Sequence, residues 1–231
     1  MRISAKDLGR LAQDDFCPRC FWIVRHNKVP YQMGFPGIFS SIDAYTKSVV
    51  EHHFKRTGTL PDWMAEVGGA DEIVPIRASE FKTERGDVTL TGVPDLILRD
   101  NGSYTIVDYK TARYTGNQDA LMPIYKVQLN AYAYIAESLG MKPVGGLFLV
   151  YFEPPHRDHF DGITATHTDD DGFEMPFRPR IHKLEKDLRA VERLIDRAGK
   201  AYNSDSAPRG IDGCEECAKL DALIASVLGR S

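Results

Sequence analysis

Two carboxylates and an ammonium, Asp95, Asp108 and Lys110, stand at a spacing that could bind a hard divalent cation and assist attack of water on an anionic centre. In an extended strand, residues two apart share a face, so Asp108 and Lys110 project together while Tyr109 points away. Oxygen ligands of this kind suit Mg²⁺ or Mn²⁺, which need few protein carboxylates and take their remaining ligands from water and phosphate. A bound dication lowers the pKa of water and neutralises developing negative charge. A lysine beside the carboxylates can orient the water or pair with the anion. The same three residues could equally form an ion pair on the surface of a hairpin, so the elements around them decide.

Asp95 precedes the apolar run Leu96-Ile97-Leu98, a turn signal follows at Asp100-Asn101-Gly102-Ser103, and a second run from Tyr104 ends in Asp108-Tyr109-Lys110. Two β-rich runs around an Asn-Gly turn predict a hairpin. If Asp95 lies across from Asp108, the two carboxylates and Lys110 converge. The apolar periodicity of 124–139 predicts an amphipathic helix in which Gln128 and Tyr132, four apart, lie on the same side.

In this order and at these separations, Gly92-Val93-Pro94-Asp95, Asp108-Tyr109-Lys110 and Gln128-x-x-x-Tyr132 resemble the PD-(D/E)XK nuclease superfamily, and within it the RecB-like branch that includes helicase-linked nuclease domains and CRISPR-associated exonucleases. The resemblance implies a restriction-endonuclease-like α/β fold with a central mixed β-sheet flanked by helices. It implies that Asp95, Asp108 and the Tyr109 backbone carbonyl hold Mg²⁺ or Mn²⁺, that Lys110 positions and activates water, and that Gln128 and Tyr132 hold the substrate backbone and the geometry of the lysine and carboxylates. The implied activity is a metal-dependent deoxyribonuclease acting on DNA ends or single strands. The implied setting is DNA repair, recombination or CRISPR-type adaptation, with a helicase or an adaptation-type integrase as partner.

One element departs from the family. A helix is expected over roughly 42–57, capped by Ser40 or Ser41, with Ile42, Tyr45 and Val49 on its apolar face. In RecB-like nucleases the corresponding helix carries a metal-binding histidine, and here that position falls at Lys47, which cannot ligate a metal while protonated. His53 is the alternative ligand by helical geometry, although a histidine on an apolar face is more often a satisfied core residue. Asp43, Lys47 and Glu51 follow at i, i+4 and i+8, the spacing of an exposed salt-bridge ladder. The departure keeps two other readings open: a non-catalytic DNA-binding or assembly subunit with a nuclease fold, and a structure- or site-specific endonuclease on the same core.

All four cysteines fall into two Cys-x-x-Cys pairs, Cys17/Cys20 and Cys214/Cys217, one near each end of the chain. Each pair can chelate one centre, and four thiolates complete a tetrahedral zinc site or a [4Fe–4S] cluster. The family resemblance implies a cluster that staples the two ends, but there one N-terminal cysteine joins three C-terminal ones, whereas this chain has two and two. Zn²⁺ therefore stays open beside [4Fe–4S]. Either would form a cysteine-rich lobe from both termini.

At 231 residues, with 42% apolar and 27% charged residues, the chain is long enough for one sizeable core and reads as a single domain over 1–231, with the nuclease core at about 38–152. No apolar run approaches 18 residues and the first ten lack the apolar segment of a signal peptide, so no membrane association and a cytoplasmic location are expected. A net charge of −4 argues against indiscriminate coating of DNA, leaving a local groove. Its candidate contacts are Lys47, Arg77, Lys82, Arg85, Arg113 and Lys126. Phe21, Trp22 and Tyr31 could stack on bases, though such aromatics more often pack on the core. Further strands are predicted at Glu72–Ala78, Val88–Val93 and Val144–Phe152, a long helix from Ile181 to about Tyr202, and a terminal helix over 218–228. Residues 153–172, with His156, His159 and His167 among several acidic residues, match no ligand signature and read as a polar loop or hairpin extension.

Overall fold

A computed structural model of the chain describes residues 1–27, 37–114, 120–164 and 166–229. Its central feature is the hairpin: β5 (Leu96–Asp100) and β6 (Ser103–Lys110) pair antiparallel, with Leu96 opposite Val107. Asn101 and Gly102 make the turn with φ of 47° and 79°, the left-handed pair that matches strand twist in a two-residue hairpin. β6 then pairs in parallel with β7 (Val144–Glu153), which a crossover through α4 (Met122–Ser138) makes possible. With the edge strands β10 (Arg178–Lys183) and β2 (Glu72–Ile73), the sheet runs β10-β7-β6-β5-β2 and is mixed, as the sequence predicts.

The strand period of two sorts side chains onto two cores. Ile97, Ile106, Leu147 and Leu149 face α4 and a further helix, Leu188–Tyr202, which contributes Val191, Ile195 and Ala198. Leu96, Leu98, Val107, Tyr109 and Val150 face the opposite way, against Val50 of α3 (Gly37–Thr57) and the 3-10 segment Asp62–Val67. Since Ile106 faces α4, Asp108 and Lys110 face it too.

The chain's first residues extend the core beyond 38–152. β1 (Arg2–Ser4) pairs with β4 (Val88–Thr91), which also pairs with β3 (Lys82–Arg85). α1 (Ala5–Gly9) follows, its first turn capped by Ser4, and buries Leu8 in the same cluster as α4. None of this is evident from so short an apolar stretch.

Several expected elements differ. The strand at Glu72–Ala78 stops at Ile73, with one more bond from Val74 N–H to Ile97 carbonyl, because Pro75 has no N–H to continue the ladder. The strand near Val88–Val93 belongs to the smaller three-stranded sheet and does not run on into β5. α3 begins at Gly37 rather than after Ser40 or Ser41. It buries Thr46 and Val50 and leaves Tyr45 and Val49 exposed, a roll of one residue from the expected face. The long helix from Ile181 is two elements. Ile181 lies in β10, opposite Val150, and the helix proper is α6 (Leu188–Tyr202), with the short α5 (Phe160–Thr164) earlier in the chain. The Asp187 side chain accepts from Ala190 N–H and starts α6. The four-residue interval from Leu184 to Leu188 imitates a helical turn across what is a strand-to-helix junction. Residues 168–173 form a small hairpin of β8 (Thr168–Asp169) and β9 (Gly172–Phe173).

The last helix, α7 (Glu215–Leu228), meets α2 (Pro18–His26) in a lobe built from both ends of the chain. Cys17 and Cys217 are buried there, yet α2 buries none of its own residues. Apolar packing alone does not explain this lobe. Among the described residues, no helix is long and apolar enough to cross a membrane.

Candidate active site and cysteine centre

The hairpin register sets the geometry of the candidate site. Leu96 pairs with Val107, so Asp95, one step before the ladder, lies level with Asp108. Its Oδ2 accepts from Tyr109 N–H at 2.6 Å, fixing the carboxylate against the end of β6. Asp108 is 3% exposed and ion-paired with Lys110. From α4, Gln128 Nε2 reaches Asp108 Oδ1 at 3.5 Å and Tyr132 Oη at 2.7 Å. The structure thus brings Asp95, Asp108, Lys110, Gln128 and Tyr132 together at one end of the sheet.

The electrostatics of this cluster are strained. Burial pushes the Asp108 carboxyl up to about 6; Lys110 pulls it down, Asp95 adds to the rise, and Lys47 opposes it. Burial also raises the Tyr132 phenol, with Asp108 adding to that shift, so the hydroxyl stays protonated. Gln128 Oε1 is buried without a hydrogen-bond partner. Two oxygen-rich carboxylates beside an orphaned buried acceptor fit a hydrated hard cation: the carboxylates supply charge, and the amide oxygen can accept from the hydration shell.

One contributor escapes the sequence reading, and a second is read there only as a member of a salt-bridge ladder. Lys110 Nζ lies 4.9 Å from the Tyr125 ring centroid, a cation–π contact. Tyr125, Gln128 and Tyr132 recur at i, i+3 and i+7, so helical spacing could have pointed to the tyrosine. The second is Asp43, which accepts from Lys47 at 2.8 Å while Lys47 also bonds Asp95 Oδ1 at 2.8 Å. Burial alone would depress the Lys47 ammonium, but the hydrogen bonds to Asp43 and Asp95 outweigh it and hold it above the ordinary lysine value. His53 does not share this face. Six residues after Lys47, it is turned by about 240° around the helix, and it lines a surface depression with Val49, Pro61 and Trp63.

The proposed nucleic-acid contacts divide. Arg85 forms a fork on Asp196, at 2.8 and 3.0 Å, and also pairs with Glu192, so its charge is committed to α6. Arg77 pairs with Glu80. Arg113 donates to the carbonyls of Pro154 and Pro155, tying the segment after β6 to the end of β7. Lys82 and Lys126 are exposed on β3 and α4. Phe21 packs against Phe16, and Trp22 stacks on His26 and donates to the Ser204 carbonyl, so both serve the lobe. Tyr31 lies outside the described residues.

Gly92 shows why the segment before Asp95 has no side chain there. A Cβ at this position would run into the Tyr132 ring, with Cδ1 at 2.9 Å, and would sit 3.2 Å from Ala5 Cβ on the other side. Gly92→Ala is therefore expected to cost about 1–3 kcal/mol through overpacking and to push Tyr132 off Gln128. Urea denaturation measures the first effect; an unchanged midpoint would show that the ring has room to yield.

In the lobe, the four sulfurs converge. Cys17 and Cys217 are 3.6 Å apart, Cys20 and Cys217 3.4 Å, Cys20 and Cys214 3.7 Å, and all four lie within 4.8 Å of one another. Cys17 and Cys214 are the N-cap residues of α2 and α7. Burial opposes ionisation of Cys17, but backbone N–H groups of Cys20 and Ile211 bring it down to about 6. Burial and the neighbouring sulfurs push Cys20 upward, as burial does Cys217. The surroundings thus favour a thiolate at Cys17 and oppose one at Cys20 and Cys217 in the absence of a cation. Gly210 passes so close that a Cβ would lie 2.9 Å from Cys217 Sγ, and Arg19 clamps Asp221 at 2.7 and 3.0 Å across the helices.

A family model described as the PD-(D/E)XK nuclease superfamily matches residues 24–221. Over 102 residues the chain is 29% identical to an ATP-dependent helicase/nuclease subunit from Bacillus pumilus (strain SAFR-032), an alignment covering 40% of this chain and 8% of that protein. The chain thus spans under a tenth of the length of this relative. A solved structure titled "Crystal structure of SSO0001" aligns at 15% identity with a TM-score of 0.45, covering 88% of this chain and 77% of that one.

Proposed function

This chain belongs to the PD-(D/E)XK nuclease superfamily, and from that premise we propose that it is a metal-dependent deoxyribonuclease acting on DNA ends or single strands. The observation that carries the reading is Asp108: a carboxylate 3% exposed, level with Asp95, paired with Lys110 and touched by Gln128. An acid so expensive to bury needs a purpose, and holding a dication is one. Asp95, Asp108 and the Tyr109 carbonyl hold Mg²⁺ or Mn²⁺, which when bound neutralises the phosphate and acidifies water. Lys110 orients the attacking water and pairs with the scissile phosphate. Tyr125 lies against the Lys110 ammonium, and Gln128 and Tyr132 keep the Asp108 carboxylate aimed.

The name of the Bacillus pumilus relative is compatible with a helicase as the partner. The cysteine centre stabilises the lobe and takes no part in hydrolysis. Three of its sulfur separations are 3.4, 3.6 and 3.7 Å and all four sulfurs lie within 4.8 Å of one another, which accommodates a single ion, since four bonds of about 2.3 Å to zinc put tetrahedral thiolates roughly 3.8 Å apart. A [4Fe–4S] cluster spreads its thiolates over four separate irons and needs a wider cage.

The test uses the full chain with labelled linear single-stranded, linear duplex and closed circular DNA, each with Mg²⁺, Mn²⁺ or chelator. Metal-dependent shortening of the linear substrates with intact circles is the expected result. Opened circles would favour a structure- or site-specific endonuclease. Binding without cleavage in either metal would reduce the protein to a DNA-binding or assembly role.

A further inference from the structure

Lys47 has an unusual station for a helix-surface lysine. Its ammonium lies 2.8 Å from Asp43 Oδ2, one turn back on α3, and 2.8 Å from Asp95 Oδ1, which belongs to the segment entering β5. The other oxygen of Asp95 is already bonded to the Tyr109 amide. Both Asp95 oxygens are therefore engaged, and the one facing α3 is engaged by a fixed positive charge. Across the pocket, Asp108 has its own ammonium in Lys110 and the orphaned Gln128 oxygen beside it.

We propose that Lys47 is a tethered cation that occupies the α3 side of Asp95, limits the catalytic pocket to one divalent ion, and is held in place by Asp43 as a positioning residue. The inference rests on the nuclease reading of the same pocket.

Charge balance leads the same way. Asp43, Asp95 and Asp108 bring three negative charges, and Lys47 and Lys110 bring two positive ones, leaving a net charge of −1 in the contact cluster. One dication turns this to +1, which a single phosphodiester anion balances. A second dication would give +3 and would have to displace an ammonium already hydrogen-bonded to two carboxylates. Such fixed charge at short range is more costly to override than a surface lysine, because Asp95 is only 12% exposed and poorly screened. The ammonium also keeps Asp95 neutralised before any metal arrives, so the pocket does not gather two mutually repelling bare carboxylates.

The experiment is Mn²⁺ binding to the full chain with the sulfur centre loaded, followed by electron paramagnetic resonance of free Mn²⁺, in the wild type, Lys47→Met, Asp43→Asn and Asp108→Asn. Wild type is expected to take up one Mn²⁺. Lys47→Met, which keeps the stem and removes the charge, is expected to take up two, the second at least tenfold tighter than any second ion in wild type. Asp43→Asn, which loosens the tether, falls between them. Two ions in wild type, or one in both wild type and Lys47→Met, overturns the role of Lys47 and leaves the nuclease reading intact. No uptake by wild type, or uptake unaffected by Asp108→Asn, overturns the metal pocket itself. Circular dichroism of each variant confirms folding, and because Lys47 is one-third exposed its truncation leaves the core unchanged.

Discussion

Lys110→Ala is expected to slow cleavage by about a hundred- to ten-thousand-fold, the range for removing a positioned proton-handling group, while DNA binding changes only a few-fold. Lys110 is also one of the charges that keep Asp108 ionised. Burial has already brought that carboxyl to about 6, and without the ammonium it rises further. Metal uptake by the variant then competes with a proton, so its Mg²⁺ affinity falls near neutral pH and recovers as the pH is raised. The stability of the metal-free fold carries the same signature with a fixed sign. A carboxyl raised in the fold contributes stability that is full below its unfolded value of 3.8 and is lost as the pH climbs through about 6. In Lys110→Ala the loss extends to higher pH, and saturating Mg²⁺ reverses it. Lys110→Arg separates the two roles. It restores the charge and thus the metal affinity, but its planar fork cannot reproduce the compact ammonium, so cleavage stays low. Retained cleavage by pure Lys110→Ala would remove Lys110 from the chemistry.

How much of this pocket could be read from the chain depends on how local each contact is. The hairpin is local: its turn residues, its alternation and the Asp108-x-Lys110 spacing all lie between Asp95 and Lys110, and together they set the register that puts Asp95 level with Asp108. The pairing of Gln128 with Tyr132 is a helical interval and equally legible. Lys47 is different. Its link to Asp43 follows from i, i+4 spacing, but its link to Asp95 depends on how α3 lies across the end of the sheet, and no spacing reports that. The misjudged face of α3 has the same origin, since Val50 and Thr46 are chosen by the sheet and not by helix periodicity. β1 and α1 are invisible in the sequence because three or five residues carry no period. β10 reads as part of a helix because Ile181, Leu184 and Leu188 happen to satisfy helical intervals while the strand's own partner lies thirty residues earlier in β7. Pairing alone suggests that the cysteines converge, whereas their sulfur–sulfur distances exist only in the folded lobe.

Removing the ion proposed for that lobe is expected to have the largest effect on stability. The centre ties positions 200 residues apart, and the loop-closure arithmetic used for a disulfide of that span gives about 5 kcal/mol. At roughly 2–4 °C per kcal/mol for a chain of this size, a strong zinc chelator should lower the melting temperature by about 10–20 °C. The loss should be uneven. α2 buries none of its residues and α7 only Cys217, so the lobe has little apolar core to hold it once the four sulfurs lose a shared cation. Arg19 with Asp221 is a surface pair, worth too little to substitute. Amide exchange in 17–26 and 214–228 should therefore become fast, while β5, β6, β7 and α4, whose Ile97, Ile106, Leu149 and Ile135 are fully buried, stay protected. Cys217→Ser, losing the sulfur closest to two others, should reproduce the chelated state without chelator. Metal analysis decides the identity of the ion: one zinc in a colourless protein fits the close-set sulfurs, whereas four irons with absorption near about 400 nm would mean that the cage widens around a cluster. Protein that holds neither metal, and melts at the same temperature with chelator, would leave the convergence of four cysteines without a stabilising role.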